Sequence, residues 1–316
     1  MAKSGNVLLK RTITVFVFLS FCTVVLWLSH YRIGSLLFLG GANLFVVTGI
    51  VEYHQLCRKP AHVRAHASEP SHRTVHGSAS RAAERPGKDR VSLGYGVFSG
   101  VVFCTLVFFT SANPLVTRPL PPTVLPLACV VLIFAFFAWR ACKGDVASAL
   151  FDFGCLVGGV VLVAWLFSFT VRINYFFPAS RTGSWWVMSL ILIAGGTDTF
   201  AMFIGKAFGR RKFFSRISPS KTVEGFLGGT VSGIGMGILC WSLFPLKVCF
   251  LRGLILACAL SLISHLGDLA ESILKRDAGV KDSGRLPGVG GVLDLMDSGL
   301  FAAPVTYFLM KLWFRA

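Results

Sequence analysis

Charge is scarce in this chain. Charged residues make up 14% of its 316 residues, and only 14 residues are acidic. A soluble globular domain carries about 25%, so a water-soluble fold is excluded. No Cys-x-x-Cys pair occurs among the nine cysteines. Most sit inside apolar runs, where they read as small hydrophobes rather than disulfide partners or zinc ligands. A phosphate loop of the Gly-x-x-x-x-Gly-Lys-Ser/Thr type is absent, and neither half of the chain repeats the other. The missing repeat argues against a transporter, whose halves carry broken helices in matching positions.

What is there is apolar: hydrophobic residues reach 54% and mean hydropathy is +0.70. The expected fold class is all-α, a polytopic integral membrane helical bundle of about nine transmembrane helices in the lipid bilayer. The expected spans are Thr12–Ser29, Ile33–Val51, Leu93–Ser111, Val124–Ala138, Val146–Phe167, Trp185–Gly205, Phe226–Phe244, Cys249–Ala270 and Val292–Trp313. Most are close to the ~20 residues that cross a bilayer. Lys3, Lys10 and Arg11 precede the first span. No small-residue cleavage site follows and a second span comes at once, so an uncleaved anchor is expected rather than a signal peptide. Trp185, Trp186, Trp241 and Trp313 fall near span ends, as interfacial aromatics do. Gly229, Gly233 and Gly237 share one helix face and allow a second helix to approach closely.

Residues 1–56 are expected to form a two-span anchor and 57–91 a basic cytoplasmic loop. Residues 92–183 hold the central spans. Residues 184–316 hold the catalytic region, with polar loops at 206–225 and 271–290. The 57–91 segment is dominated by Pro, Ser, Ala, His and Arg without apolar periodicity, the composition of a disordered segment near anionic headgroups. His54, His62, His66, His72 and His76 have no compact ligand spacing, so a solvated loop is preferred to a metal site. The net charge of +17 would suit nucleic acid, yet 23 of the 31 Lys and Arg fall in segments that share one side of a nine-span topology. That is the positive-inside pattern, and it places the N-terminus and both polar loops in the cytoplasm. Nucleic acid is therefore not an expected partner.

The chemistry concentrates in one stretch, Ser264–Ser298. Asp268 and Glu271 are three residues apart and share a helix face, and Asp294 and Asp297 repeat that spacing in the last span. Asp198 lies within its own span. Charges inside a membrane segment are costly and mark function by default. A hard divalent cation ligated by these oxygens would offset the cost. Salt bridges to Lys275 or Arg276 are the alternative, and a packing or capping role is open for Asp198. Upstream, Lys221 precedes a helix start with Thr222 as N-cap, a phosphate-binding arrangement. Lys275, Arg276 and Lys281 form a second basic group beside a Gly-Val-Gly-Gly turn. Basic groups and a caged metal at a membrane surface suit phosphoryl or nucleotidyl transfer.

Several of these blocks resemble the phosphatidate cytidylyltransferase (CDP-diacylglycerol synthase) family. They are Thr197-Asp198, Gly205, Phe208-Gly209, Ser218-Pro219-x-Lys221-Thr222-x-Glu224-Gly225, Gly267-Asp268-Leu269, Glu271-Ser272-x-x-Lys275-Arg276, Lys281-Asp282-Ser283-Gly284, and Pro287-Gly288-x-Gly290-Gly291-x-x-Asp294-x-x-Asp297-Ser298. Glu52-Tyr53 is a weaker match. The resemblance implies that phosphatidic acid attacks the α-phosphorus of CTP, giving CDP-diacylglycerol and pyrophosphate, with Mg²⁺ and a second cation. It implies Asp268 and Asp294 as metal ligands with Asp198, Asp297 and Glu271 near them. Lys221, Lys275, Arg276 and Lys281 would bind phosphates. Thr222, Glu224, Ser272, Asp282, Gly290 and Gly291 would complete the substrate site. Asp268, Asp294, Lys275 and Lys221 would carry catalysis. It also implies a bacterial inner membrane, and leaves a homodimer open.

The chain departs from the family pattern at three points. Val289 stands where the turn usually has His, Leu295 where an Arg follows the Asp, and the stretch before Pro287 is one residue short. His265 on the preceding helix reads as a polar helix-face residue. All the carboxylates and lysines remain, which favours an active, divergent member over an inactive homologue. A CTP-dependent polyprenol or phytol kinase is the alternative enzyme.

Overall fold

The computed structural model describes residues 17, 19–58, 86–116, 118–142, 149–178, 180–213, 218, 220–280, 282–284 and 290–314. Among these the chain is helical apart from an isolated antiparallel bridge, Lys212 to Thr222. A short apolar helix, α1 (Leu19–Leu28), is followed by eight helices long and apolar enough to cross a membrane. These are α2 (Arg32–Cys57), α3 (Pro86–Thr110), α4 (Val124–Cys142), α5 (Ala149–Asn174), α6 (Thr182–Phe208), α7 (Val223–Leu243), α8 (Phe250–Asp277) and α9 (Val292–Phe314). The polytopic helical bundle expected from hydropathy is present. The first expected span lies partly outside the described residues, and its described part is α1.

Several helix ends differ from the sequence expectation, α5 for one running to Asn174 rather than Phe167, and two of the differences bear on the expected loops. The loop assigned to 271–290 begins later, because α8 continues through Asp277. Hydropathy falls after Ala270, but the residues that follow are good helix formers, and Glu271 pairs with Lys275 one turn on. The helix ends only where Gly279 takes φ +68°, a left-handed residue of the kind that closes helices. The second difference is at 57–91: Pro86 to Arg90 and Val91 already belong to α3, and 59–85 lie outside the described residues. His54 is buried on α2 rather than solvated. His62, His66, His72 and His76 are outside the description.

The bundle has two packed halves. In the N-terminal half α2 and α3 pack on α5, which is interrupted by a π-helical segment at Val160–Trp165. Val46, Ile50, Val107, Phe108, Val163 and Ala164 are fully buried there. At the α4–α5 end, Arg140 donates to Asp152 at 3.0 Å, and Arg58 stands 3.6 Å from the same carboxylate. In the C-terminal half α6, α7, α8 and α9 pack together. The glycine stripe of α7 does what its spacing implies. A methyl at Gly229 would strike Ala201 of α6, one at Gly233 would strike Thr197 and Ser261, and one at Gly237 would strike Ala257 of α8.

The two ends of the bundle differ in character. At one end Asn174 bonds Ser29 at 3.0 Å, Ser184 donates to Asn174 at 2.7 Å and Tyr175 reaches the Ser29 carbonyl at 3.2 Å. These polar contacts close the turns between helices. The other end collects the C-terminal ends of α2, α6 and α8 and the N-terminal ends of α7 and α9. The candidate site is built there.

Candidate active site

Thr222 is the N-cap of α7, and its hydroxyl accepts from the Gly225 amide at 3.1 Å. The expected cap is therefore present, and it fixes Lys221 at the helix mouth. The Lys221 ammonium lies 2.9 Å from an Asp268 carboxylate oxygen. Its alignment is that of an ion pair rather than a hydrogen bond. A third of the Asp268 side chain stays exposed, 32%. Glu224, in the first turn of α7, turns away from this cluster. It accepts from the Arg210 and Arg211 amides at 3.0 and 3.2 Å and so ties down the loop that follows α6.

Two turns beyond Asp268 on α8, Lys275 bridges two helices. It pairs with Glu271 and, at 2.8 Å, with Asp294 of α9. The salt-bridge reading is thus realised for Glu271 and Asp294. The second Asp294 oxygen accepts the Ser283 amide at 2.9 Å and the Gly291 amide at 2.7 Å. Gly290 takes φ +107° to make this turn, a conformation that favours glycine. Asp294 therefore organises the polypeptide before α9 as well as facing the site.

Asp198 of α6 is held by two serine hydroxyls, Ser264 of α8 at 3.2 Å and Ser298 of α9. Asp297 uses one oxygen to accept the Ser298 amide at 2.6 Å and the Ser298 hydroxyl at 3.1 Å. Asp198, Asp268 and Asp297 come from three different helices and lie close enough to repel one another. With Asp294, Asp282, Lys206, Lys221, Lys275 and His265 they line one cavity of about 590 Å³. Asp268 and Asp294 thus share a cavity instead of facing opposite sides of the bundle.

Other expected site residues fall elsewhere. Arg276 is exposed on α8, and Ser272 is buried in that helix. Gly290 and Gly291 shape the turn before α9. Lys281 and Val289 lie outside the described residues. Leu295, standing in the place of the expected Arg, lines the cavity. His265 bonds the Phe226 carbonyl at 3.2 Å and packs on the Phe226 ring with centroids 4.5 Å apart.

Sequence reasoning missed three supports. Ser264 and Ser298 orient Asp198, although Ser298 stands beside an aspartate already singled out. Glu52 of α2 reaches across the bundle to the start of α9, where it accepts the Val292 amide at 2.9 Å, the Leu293 amide at 2.8 Å and the Ser283 hydroxyl at 3.1 Å. Nothing local announces a contact between residues so far apart in the chain.

The carboxylate set fits a hard divalent cation. Several oxygens from different helices repel one another around a cavity, and the lysines do not neutralise them all. Among the described residues no three His, Cys, Asp or Glu side chains converge into a closed cage. A Mg²⁺ ion would therefore take one or two of these carboxylates and complete its shell with water and substrate phosphates.

Parts of the sequence are shared with known proteins. Over 163 residues the chain is 36% identical to the phosphatidate cytidylyltransferase of Bacillus subtilis (strain 168), covering 51% of this chain and 60% of that protein. It is 42% identical over 139 residues to the protein of that name from Staphylococcus aureus (strain COL), covering 43% and 53%. It is 38% identical over 136 residues to the one from Chlamydia pneumoniae, covering 40% and 43%. The chain therefore spans about half the length of the curated relatives it matches. The sequence signature of the cytidylyltransferase family matches residues 9–313, nearly from end to end, and the chain belongs to that family.

Proposed function

We propose that this protein is a phosphatidate cytidylyltransferase, which transfers CMP from CTP to phosphatidic acid. The observation that carries the reading is the cavity where Asp198, Asp268 and Asp297 meet from three helices with Lys221 and Lys275 at its wall. The names of the relatives point the same way. A phosphate oxygen of the lipid forms a bond to the α-phosphorus of CTP, the bond from that phosphorus to the β-phosphate oxygen breaks, and pyrophosphate leaves. The attacking phosphate is already anionic at neutral pH, so no general base is required.

The residues divide the work by position. Lys221 and Lys275 bind phosphate oxygens and draw charge away from the phosphorus as it is attacked. Asp268, which keeps an exposed face, would hold Mg²⁺ with one neighbouring aspartate, Asp198 or Asp297, water and substrate phosphates completing the shell, and Asp294 lies near them across Lys275. When bound, the cation neutralises phosphate charge and orients the triphosphate. Ser264 and Ser298 keep Asp198 turned toward the cavity. Thr222 and Glu224 fix the segments on either side of Lys221. In this reading the chain sits in the bacterial inner membrane and this end of the bundle faces the cytoplasm, where CTP is found, an orientation that the positive-inside charge bias supports.

The test is product analysis. Purified protein given labelled CTP, phosphatidate and Mg²⁺ is expected to release CDP-diacylglycerol and pyrophosphate. Release of CDP with a phosphorylated lipid alcohol would overturn the reading in favour of a kinase. No product from either acceptor would overturn the enzymatic reading.

A further inference from the structure

Glu52 is a carboxylate at this end of the bundle that does not line the cavity. It sits on α2 in the N-terminal half, yet all of its hydrogen bonds go to the C-terminal half. The first amides of a helix have no partner within it and need an acceptor from outside. Capping side chains usually come from the residue just before the helix. Gly290 and Gly291 precede α9, and neither has a side chain to offer.

The glycines of the turn suit this arrangement sterically. A methyl on Gly284 would collide with one Glu52 carboxylate oxygen, and a methyl on Gly291 with the other and with the Ser283 hydroxyl. The glycine-rich turn leaves room for a side chain arriving from another helix.

We propose that Glu52 is a positioning residue. It caps α9 in trans and sets the rotation and depth of Asp294 and Asp297 relative to Asp198 and Asp268. It also fills the anion seat at the N-terminus of α9, where helix dipole and amides would otherwise attract a phosphate. Substrate phosphates are thereby directed to Lys221 and Lys275. The effect on turnover rests on the cytidylyl-transfer reading above; the effect on backbone protection does not.

The experiment uses the full-length protein with Glu52→Gln, which keeps the shape and weakens the cap. Turnover should fall by about 10²-fold, the loss that a misplacement of about 1 Å can produce, while the KM for CTP stays within about twofold. Hydrogen–deuterium exchange should accelerate in the peptide covering 290–294 and not in α3 or α5. If Glu52→Gln is not recovered folded, Glu52→Asp, which keeps the charge on a shorter arm, is read by the same two measurements. Gly291→Ala alone should be as damaging as Glu52→Gln, whereas in a Glu52→Ala, Ser283→Ala background it should add no further loss, because both groups that the methyl would strike are then gone. Wild-type turnover with a fully active Glu52→Gln, or unchanged exchange at 290–294, overturns the proposal. Equal damage from Gly291→Ala in both backgrounds overturns the steric part. An inactive wild type would instead overturn the reaction, and the exchange data would still decide the role of Glu52.

Discussion

Two buried ionic clusters sit in this bundle and behave differently. In the N-terminal half Asp152 is held by Arg140 at 3.0 Å and Arg58 at 3.6 Å, and none of the three lines the candidate cavity. In the C-terminal half Asp198, Asp268, Asp294 and Asp297 face Lys221 and Lys275 around open space. Among the described residues the first cluster sets two cations on one anion. The second holds more anion than its lysines balance and is open. Buried charge alone therefore does not mark a site; surplus charge of one sign facing a cavity does, because something charged and absent from the chain must complete it.

Substitution in each cluster sharpens that contrast. The largest effect is expected at Asp268→Asn, which should lower CDP-diacylglycerol formation by about 10³-fold while the melting temperature stays near that of the wild type. A parallel loss of thermal stability would place Asp268 with the structural cluster instead. Arg140→Met should do the reverse. It leaves Asp152 with weaker compensation, destabilises the fold by about 3–5 kcal/mol in a denaturant titration, and leaves turnover per folded molecule unchanged. Gly233→Val probes the packing of α7 on α6 and α8 behind the site. Its methyls meet Thr197 and Ser261, so overpacking should cost about 1–3 kcal/mol, with α6 and α7 losing hydrogen-exchange protection first. The smallest effect is expected at Glu224→Gln. It loosens the Arg210–Arg211 loop at an exposed position and should raise the KM for CTP by less than about threefold, with kcat unchanged.

Much of this was legible in the sequence, for reasons that differ by residue. The long apolar runs announced the helices because a bilayer admits few other structures. Asp198, Asp268, Glu271, Asp294 and Asp297 were conspicuous because carboxylates are rare in such runs. Thr222 was readable because an N-cap is a local contact. The end of α8 was not readable, since hydropathy reports where lipid ends and not where the helix does. The division of labour among the carboxylates was also hidden. That Asp294 is engaged by Lys275 and two amides, while Asp268 keeps an exposed face, depends on how α8 and α9 rotate against each other. His54 was misplaced for the same reason. Its neighbours in sequence are polar, but in space it lies against Gly96 of α3.

The contact between α2 and α9 bears on how the protein is made. Glu52 and the Val292 amide are 240 positions apart, so the carboxylate enters the membrane long before the helix it completes has been synthesised. The cavity accordingly takes its final shape only when α9 docks against a helix made 240 positions earlier. A nascent chain that has threaded α6 to α8 but not α9 carries Asp198 and Asp268 without the Asp294 and Asp297 that complete the acidic wall.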